Sequence, residues 1–466
     1  MEKRLVKMIA MIAVLTLTAS LFAGCGVGSK DKNENGQTVI SVGNWPTKEG
    51  NALADREARK ARFEESNPDV VIEPDTWNFD RKTFYAKAAG GQLPTVYLAG
   101  FTEMPEIINA GYSSDLSEVL KKRGFDGMFN KNILDVVGKD GRIFAFPRMA
   151  YILGLAFNTE MFQAAGLLEA DGTPKQPKDW FELAEMAVKI KEATGKAGLV
   201  LPTANRSGGW IFTSIAWSFG VDFMEKDENG KWKATFNTPE AAEALQFYKD
   251  LRWKYDVLPT NTLIDGNEWY KTYGIGAAGM TVTAGDYPGK VVKYGMTPNQ
   301  VGMMAIPAGP KRHVTLLGGD VQAIKSEATK AQIDAAIRWI ETESTFELTD
   351  AYRATVEQNT ATQLANNQHV GIRSMSVWSD EAPSLQWYNK HLEENINANP
   401  NHVRLYNEFV AECPVEIQPE EPVSCQELYS ILDGCIQEVL SDKNADVVAL
   451  LEKANNDFQQ DYLDNL

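Results

Sequence analysis

Between Thr38 and Gly100 the sequence alternates in a way that leaves few folds open. "TVISVG" (38–43) is a short apolar run rich in β-branched residues. The next segment, Asn51 to Ser66, is rich in Ala, Arg and Glu, which favour helix. "NPDVVIEP" stops that helix at Asn67–Pro68 and begins a second strand. "DRKTFYAKAAGG" predicts a helix with Asp80 as its N-cap, and "TVYLAG" (95–100) predicts a third strand. Strands separated by whole helices pair in parallel through crossovers, so the predicted class is α/β.

Farther along, "GRIFAFP" (141–147) reads as a strand, and a second unit starts near "YILGLAFN" (151–158). "DWFELAEMAVKIKEATG" (179–195) is amphipathic, with Leu183, Ala187 and Ile190 on one face. "VDFMEKDENGKWKATF" (221–236) predicts a hairpin turning at Asn229–Gly230. Thr238 caps a helix with Pro239 in its first turn. "GAAGMTVTAG" (276–285) and "VGMMAIPAG" (301–309) predict strands, and the chain from Phe346 on is mostly helical.

The N-terminus constrains location. Lys3, Arg4 and Lys7 precede an apolar run from Met8 to Ala23, as in an export signal. The run is shorter than the roughly 20 residues of a spanning helix. Small residues lead to Cys25, and this junction resembles the bacterial lipobox. The resemblance implies cleavage of 1–24, lipidation of Cys25 and a tether over 25–36, with the membrane reached through the lipid alone. More than one acyl chain, at about 0.8 kcal/mol per buried CH₂, gives stable attachment. Within the tether, Asp31, Asn33, Asn35 and Gly36 begin a calcium-loop pattern, but Val42 stands where its closing Glu belongs.

A net charge of −17 argues against nucleic acid as a partner, because phosphate contacts need clustered Lys and Arg. Besides Cys25 there are Cys413, Cys425 and Cys435, enough for at most one internal disulfide. Cys413–Cys425 across "CPVEIQPEEPVSC" is the candidate pair, and Cys435 falls on an apolar helix face with Leu428, Leu432 and Val439. No metal-ligand spacing stands out, and no cofactor is expected. Catalysis has little support. Ser218 lies in a distorted G-x-S-x-G inside a predicted helix, and "HLEEN" (391–395) lacks the second His of a zinc protease motif. A glycosidase pair remains possible in principle among 63 acidic residues.

Several stretches, in order, carry a family resemblance: "FEESNPDVVIE", "AAGGQLPTVYLAG", "DGRIFAFPRMAYILGLAFNTEMFQAAGL", "FNTPEAAEALQFYKDL", "GAAGMTVTAG", "IPAGP" and "LLGGDVQAIK". Together they resemble the extracellular solute-binding proteins of carbohydrate ABC importers, the group that includes maltose-binding protein. The resemblance implies two α/β lobes, 37–148 plus 309–345 and 149–308 plus 346–466, with a hinge and a ligand cleft between them. It also implies a monomeric, non-enzymatic protein, a carbohydrate ligand and delivery to ABC permease subunits. A polyamine or peptide cargo is the alternative.

In open α/β sheets ligands sit beyond the C-terminal ends of strands. That rule selects "GNWP" (43–46), "AGFTE" (99–103), "PRMAY" (147–151), "AGDYP" (284–288) and "GGD" (318–320). A pyranose needs flat rings for its C–H faces and polar groups for its hydroxyl rim. The candidate ligand-binding residues are therefore Asn44, Trp45, Phe101, Arg148, Tyr151, Trp210, Trp217, Asp286, Tyr287 and Asp320. Trp45 and Asp286 are the leading pair, while Trp269 and Tyr270 carry a weaker signal.

Overall fold

The computed structural model describes residues 31–466. The expected signal segment and the lipidation expected at Cys25 lie outside the described residues. Contacts divide the chain into two compact units. One comprises the described residues up to Leu98 with Ile324–Thr342, and the other Ala99–Ala323 with Glu343–Leu466.

The smaller unit is built as the alternation requires. Strand Thr38–Val42 lies between Val70–Pro74 and Val96–Gly100, parallel to both. The helix Asn51–Ser66 has its predicted bounds, and Asp80 accepts from the Lys82 N–H to cap Arg81–Ala89. The helix Lys330–Glu341 begins with a reciprocal capping box between Thr329 and Gln332. Its Gln332 Nε2 donates to the Val39 carbonyl at 2.9 Å, pinning the helix to the central strand. Near Asn33 the tether closes in a local turn, with Asn33 Oδ1 accepting from the Asn35 and Gln37 N–H groups.

The larger unit is organised by one strand, Ala145–Asn158. The two strands expected at 141–147 and 151–158 are largely joined in it. Its first half pairs antiparallel with Val314–Ile324, and its second half with Ala278–Ala284 and Val301–Met304. Pro147 is tolerated mid-strand because the register shifts at Asp320/Val321, a bulge opposite a residue that has no N–H to donate. Ala197–Leu199 adds to Ala278–Ala284 in parallel, so the class is mixed α/β.

Helices cover this sheet where their apolar faces predict. Asp179 caps Trp180–Thr194, and Gly195 ends it in the left-handed region at φ 70°. Thr238 caps Pro239–Trp253. Helix Ser207–Phe219 is apolar almost all round, and eleven of its residues are buried. It packs against both Cys425–Ser441 and Pro239–Trp253, which explains the missing polar face. The hairpin forms from Met224–Lys226 and Trp232–Ala234, with Gly230 at φ 78°.

Cys435 is buried on its helix as expected, but the Cys413–Cys425 bridge does not form. All three described cysteines are free thiols, Cys425 buried and Cys413 half-buried. Ser218 is a packing residue: it accepts from Trp180 Nε1 at 2.8 Å and donates to the Ile215 carbonyl. No helix of the described residues is long and apolar enough to cross a membrane.

Candidate ligand-binding site

Five of the ten candidates converge around Tyr151 in the larger unit. Tyr151 stands opposite Gly318, and Asp320 opposite Met149. The glycine is a steric requirement, because a Cβ at Gly318 would lie 2.3 Å from Tyr151 Cζ. The bulge after Asp320 turns its carboxylate toward Arg148, which grips it with both arms; Nε meets Oδ1 at 2.7 Å. Partial burial works against the guanidinium charge, but the Asp320 carboxylate outweighs it, so the Arg148 pKa is raised.

The Tyr151 ring meets Trp210 edge-on, with centroids 6.2 Å apart. Trp210 is half-buried in the first turn of Ser207–Phe219. That turn is anchored by the buried Asp433, whose carboxylate accepts from the Arg206 N–H at 2.5 Å and the Gly209 N–H at 2.7 Å. A Cβ at Gly209 would come within 2.3 Å of the Tyr429 carbonyl oxygen, so only glycine lets the two helices approach this closely.

Asp286 follows strand Ala278–Ala284 and is exposed, ion-paired with Lys290 at 2.6 Å. Its neighbour Tyr287 is fully buried, so the expectation that Tyr287 meets a ligand is corrected. Tyr287 is a platform: Tyr270 stacks on it at 4.9 Å and keeps an accessible side. The sequence favoured Tyr287 over Tyr270 because it adjoins a strand end; packing reverses the order.

Three other aromatics also prove to be interior residues. Trp217 is 0% exposed and donates from Nε1 to Glu421 at 3.0 Å. Phe101 is 3% exposed and packs over Gly319. Trp45, in the smaller unit, is 4% exposed; it stacks on Trp339 at 6.2 Å and donates to Glu57 at 2.9 Å. With both face and N–H engaged, Trp45 fits a packing role better than sugar stacking. Asn44 is half-buried at φ 58°, and its N–H donates to the Trp77 carbonyl. Its side chain makes no hydrogen bond among the described residues.

One acid escaped the sequence reading. Glu420 sits in the Pro-bracketed "QPEEPVS" loop, and Tyr429 donates to its Oε1 at 2.8 Å. Enclosure of its carboxyl, although part of the residue still meets solvent, pushes it up to about 8. The only sequence signal was the paired acids between prolines. The Tyr151 hydroxyl is driven far above the ordinary phenol range, first by burial and then by Glu420, Asp286, Tyr270 and Asp320. The two cations named here, Arg148 and Lys290, are both paired with carboxylates. Among the described residues no group of three or more His, Cys, Asp or Glu side chains could hold a metal ion. The arrangement offers ring surface beside hydrogen-bond acceptors, which suits an uncharged polyol better than bond cleavage.

A family model, "Bacterial extracellular solute-binding protein", matches residues 45–343. YcjN of Escherichia coli (strain K12) is 26% identical over 249 residues, 50% of this chain and 52% of that protein. The sn-glycerol-3-phosphate-binding periplasmic protein UgpB of Escherichia coli O1:K1 / APEC is 26% identical over 293 residues, 59% of this chain and 64% of that protein. The matches thus span about half to just under two thirds of the length of these relatives. Among solved structures, maltose-bound MalE3 of T. maritima is similar in fold, with a TM-score of 0.62 and 21% identity over 90% of this chain and 99% of that one. With the family model matching well over half of its length, this chain belongs to the bacterial extracellular solute-binding protein family.

Proposed function

We propose that the protein is the lipid-anchored, extracytoplasmic binding component of an ABC importer, and that its cargo is a sugar or oligosaccharide. The observation that carries the cargo reading is the Tyr151–Trp210 pair beside Arg148–Asp320, Asp286 and Glu420. Half-buried rings cover C–H faces, Asp286 and Asp320 accept from hydroxyls, and Glu420, which holds its proton near neutral pH, can donate. If about a quarter of an aromatic's 150–250 Å² covers a sugar face, at ~25 cal/mol per Å² each ring contributes about 1 kcal/mol. Two or three rings with several hydrogen bonds reach micromolar affinity, about −8 kcal/mol.

Maltose in the MalE3 structure supports this class of cargo. UgpB is named for a phosphate ester. Such a ligand would have to take Arg148 or Lys290 from its carboxylate, so the neutral sugar is preferred. Capture by lobe closure, in which the ligand stabilises the closed state by its differential contacts, is the mode this reading implies. Docking on permease subunits would follow.

Calorimetry of the mature protein against a sugar panel tests the reading. A sugar is expected to bind, and Trp210→Ala to weaken it about fivefold, the worth of one stacked ring at about 1 kcal/mol. If no sugar binds, the cargo assignment fails. The alternative is an amine-bearing cargo, which would have to take Asp320 or Asp286 from its cation; a melting shift with spermidine and none with sugars would establish it.

A further inference from the structure

His369 and His402 come together in the larger unit, where the loop after helix Asp350–Ala365 meets the turn Pro400–His402. Each is 8% exposed. Three of their four ring nitrogens, both on His369 and Nδ1 on His402, are buried and meet no hydrogen-bond partner among the described residues. The His402 ring stands edge-on to Phe157, with centroids 6.4 Å apart. A neutral imidazole tolerates such a seat, but a charged one carries two N–H donors and needs acceptors for both.

No carboxylate acts on either ring. The charged side chains on the flanking elements are Glu169 and Asp171 in the loop at Gly172, Lys290 and Lys293 beside Gln368, and Arg373 and Arg404. Lys290, Arg373 and Arg404 are paired with Asp286, Glu393 and Glu408. Burial is the main force on His369 and the His402 charge adds to it; the Val370 backbone opposes them without reaching hydrogen-bond geometry, and the ring is held down to about 4. Burial alone lowers His402.

Uncharged amides hold the two segments together. Asn397 accepts from the Val370 N–H at 2.9 Å and donates to the Gln368 carbonyl at 2.8 Å. Asn407 accepts from the Arg373 N–H at 2.9 Å and donates to the Gly371 carbonyl at 2.8 Å. These bonds do not titrate, so the histidine pair is the pH-sensitive part of the seam. The loop also reaches the candidate ligand site. Gln368 lines one hollow with Tyr270 and Lys290. A Cβ at Gly285, the residue before Asp286, would lie 2.8 Å from the Arg373 carbonyl oxygen.

We propose that His369 and His402 form an acid-released latch: taking up protons frees the loop 366–373 from its seat, and the Tyr270–Asp286 side of the ligand site loosens with it. The latch itself is independent of the cargo; its link to the ligand site rests on the cargo reading.

Amide hydrogen exchange on the mature protein, corrected for intrinsic exchange rates, reads the latch without a ligand. The open loop binds the proton more tightly than the seated one, so the seat is at full strength above about pH 6.5 and weakens as pH falls toward 4. His369 alone should raise the opening constant about thirtyfold between about pH 7.5 and pH 5. Protection over 366–373 and 395–403 is expected to fall by about that factor, and protection of helix Trp180–Thr194 to fall far less. His369→Leu has no ring nitrogen to protonate and should remove most of the change. An NMR titration of the rings in the unaltered protein checks the cause, with the His369 midpoint expected well below 6.5. By reciprocal linkage, a saturating sugar should restore protection of the loop at about pH 5. Protection as high at pH 5 as at pH 7.5, a ring midpoint near 6.5, or an unchanged pH response in His369→Leu would overturn the latch. A sugar that binds and leaves the loop's protection unchanged would overturn its link to the site, whereas failure of every sugar to bind counts against the cargo reading alone.

Discussion

Replacing Glu421 with Gln should make the protein more stable, by an amount that grows as pH rises from about 4.5 to about 7 and then levels off. Glu421 is 7% exposed and accepts from Trp217 Nε1 at 3.0 Å. Burial is the main force on its carboxyl; the Trp217 hydrogen bond opposes it, Asp222 adds to it and Arg312 opposes it, and the group is pushed up from 4.5 to about 7. The folded state thus holds this proton more tightly than the unfolded chain does. The stability so gained is fully present below about pH 4.5 and is lost as pH rises through about 7. At ~1.36 kcal/mol per pH unit, the loss by about pH 9 is on the order of 3 kcal/mol. Gln keeps an oxygen for Trp217 and has no proton to lose. Urea unfolding of both proteins at several values between about pH 5 and pH 9, followed by Trp emission, gives the difference curve. The difference should be small at the acid end and grow to about 3 kcal/mol in favour of Glu421→Gln at the alkaline end. A difference that is flat across this range would refute the reasoning, because a carboxyl ionised at ordinary pH gives no such slope.

Other expectations follow from the packing around the site. Gly318→Ala would drive a methyl group into the Tyr151 ring, costing about 1–3 kcal/mol of stability and weakening sugar binding; thermal unfolding and calorimetry read both. Asp433→Ala would leave the Arg206 and Gly209 N–H groups without their acceptor, at about 1–3 kcal/mol, and loosen Trp210; urea unfolding and sugar affinity should fall together. Because the three described cysteines are free, adding a reductant should leave the melting temperature unchanged. In a thiol-labelling assay on the native protein Cys413 should react before Cys425, whose burial holds its thiol well above the ordinary range.

Local chemistry was legible in the sequence. Asp80, Asp179, Thr238 and Thr329 cap helices because their side chains reach N–H groups two or three residues ahead, within the same stretch of chain. The alternation after Thr38 fixed parallel pairing, since a helix between two strands leaves no room for a hairpin. The pairing of Arg148 with Asp320 and the nearness of Tyr151 to Trp210 were open at that level, as 172 residues separate the first two. Strand-end position marked Arg148, Tyr151, Asp286 and Asp320 as candidates, but it could not tell an aromatic that lines a site from one that supports it. Tyr270 and Tyr287 have similar local chemistry, yet one is fully enclosed and the other keeps an open side. The same holds for Trp45 and Trp217, whose roles depend on Trp339 and Glu421 arriving from distant segments, and for Glu420, whose burial comes with the fold even though its partner Tyr429 is close in sequence. Burial and charge environment are properties of the assembled neighbours, so the tertiary structure alone decided which of these groups can meet a ligand.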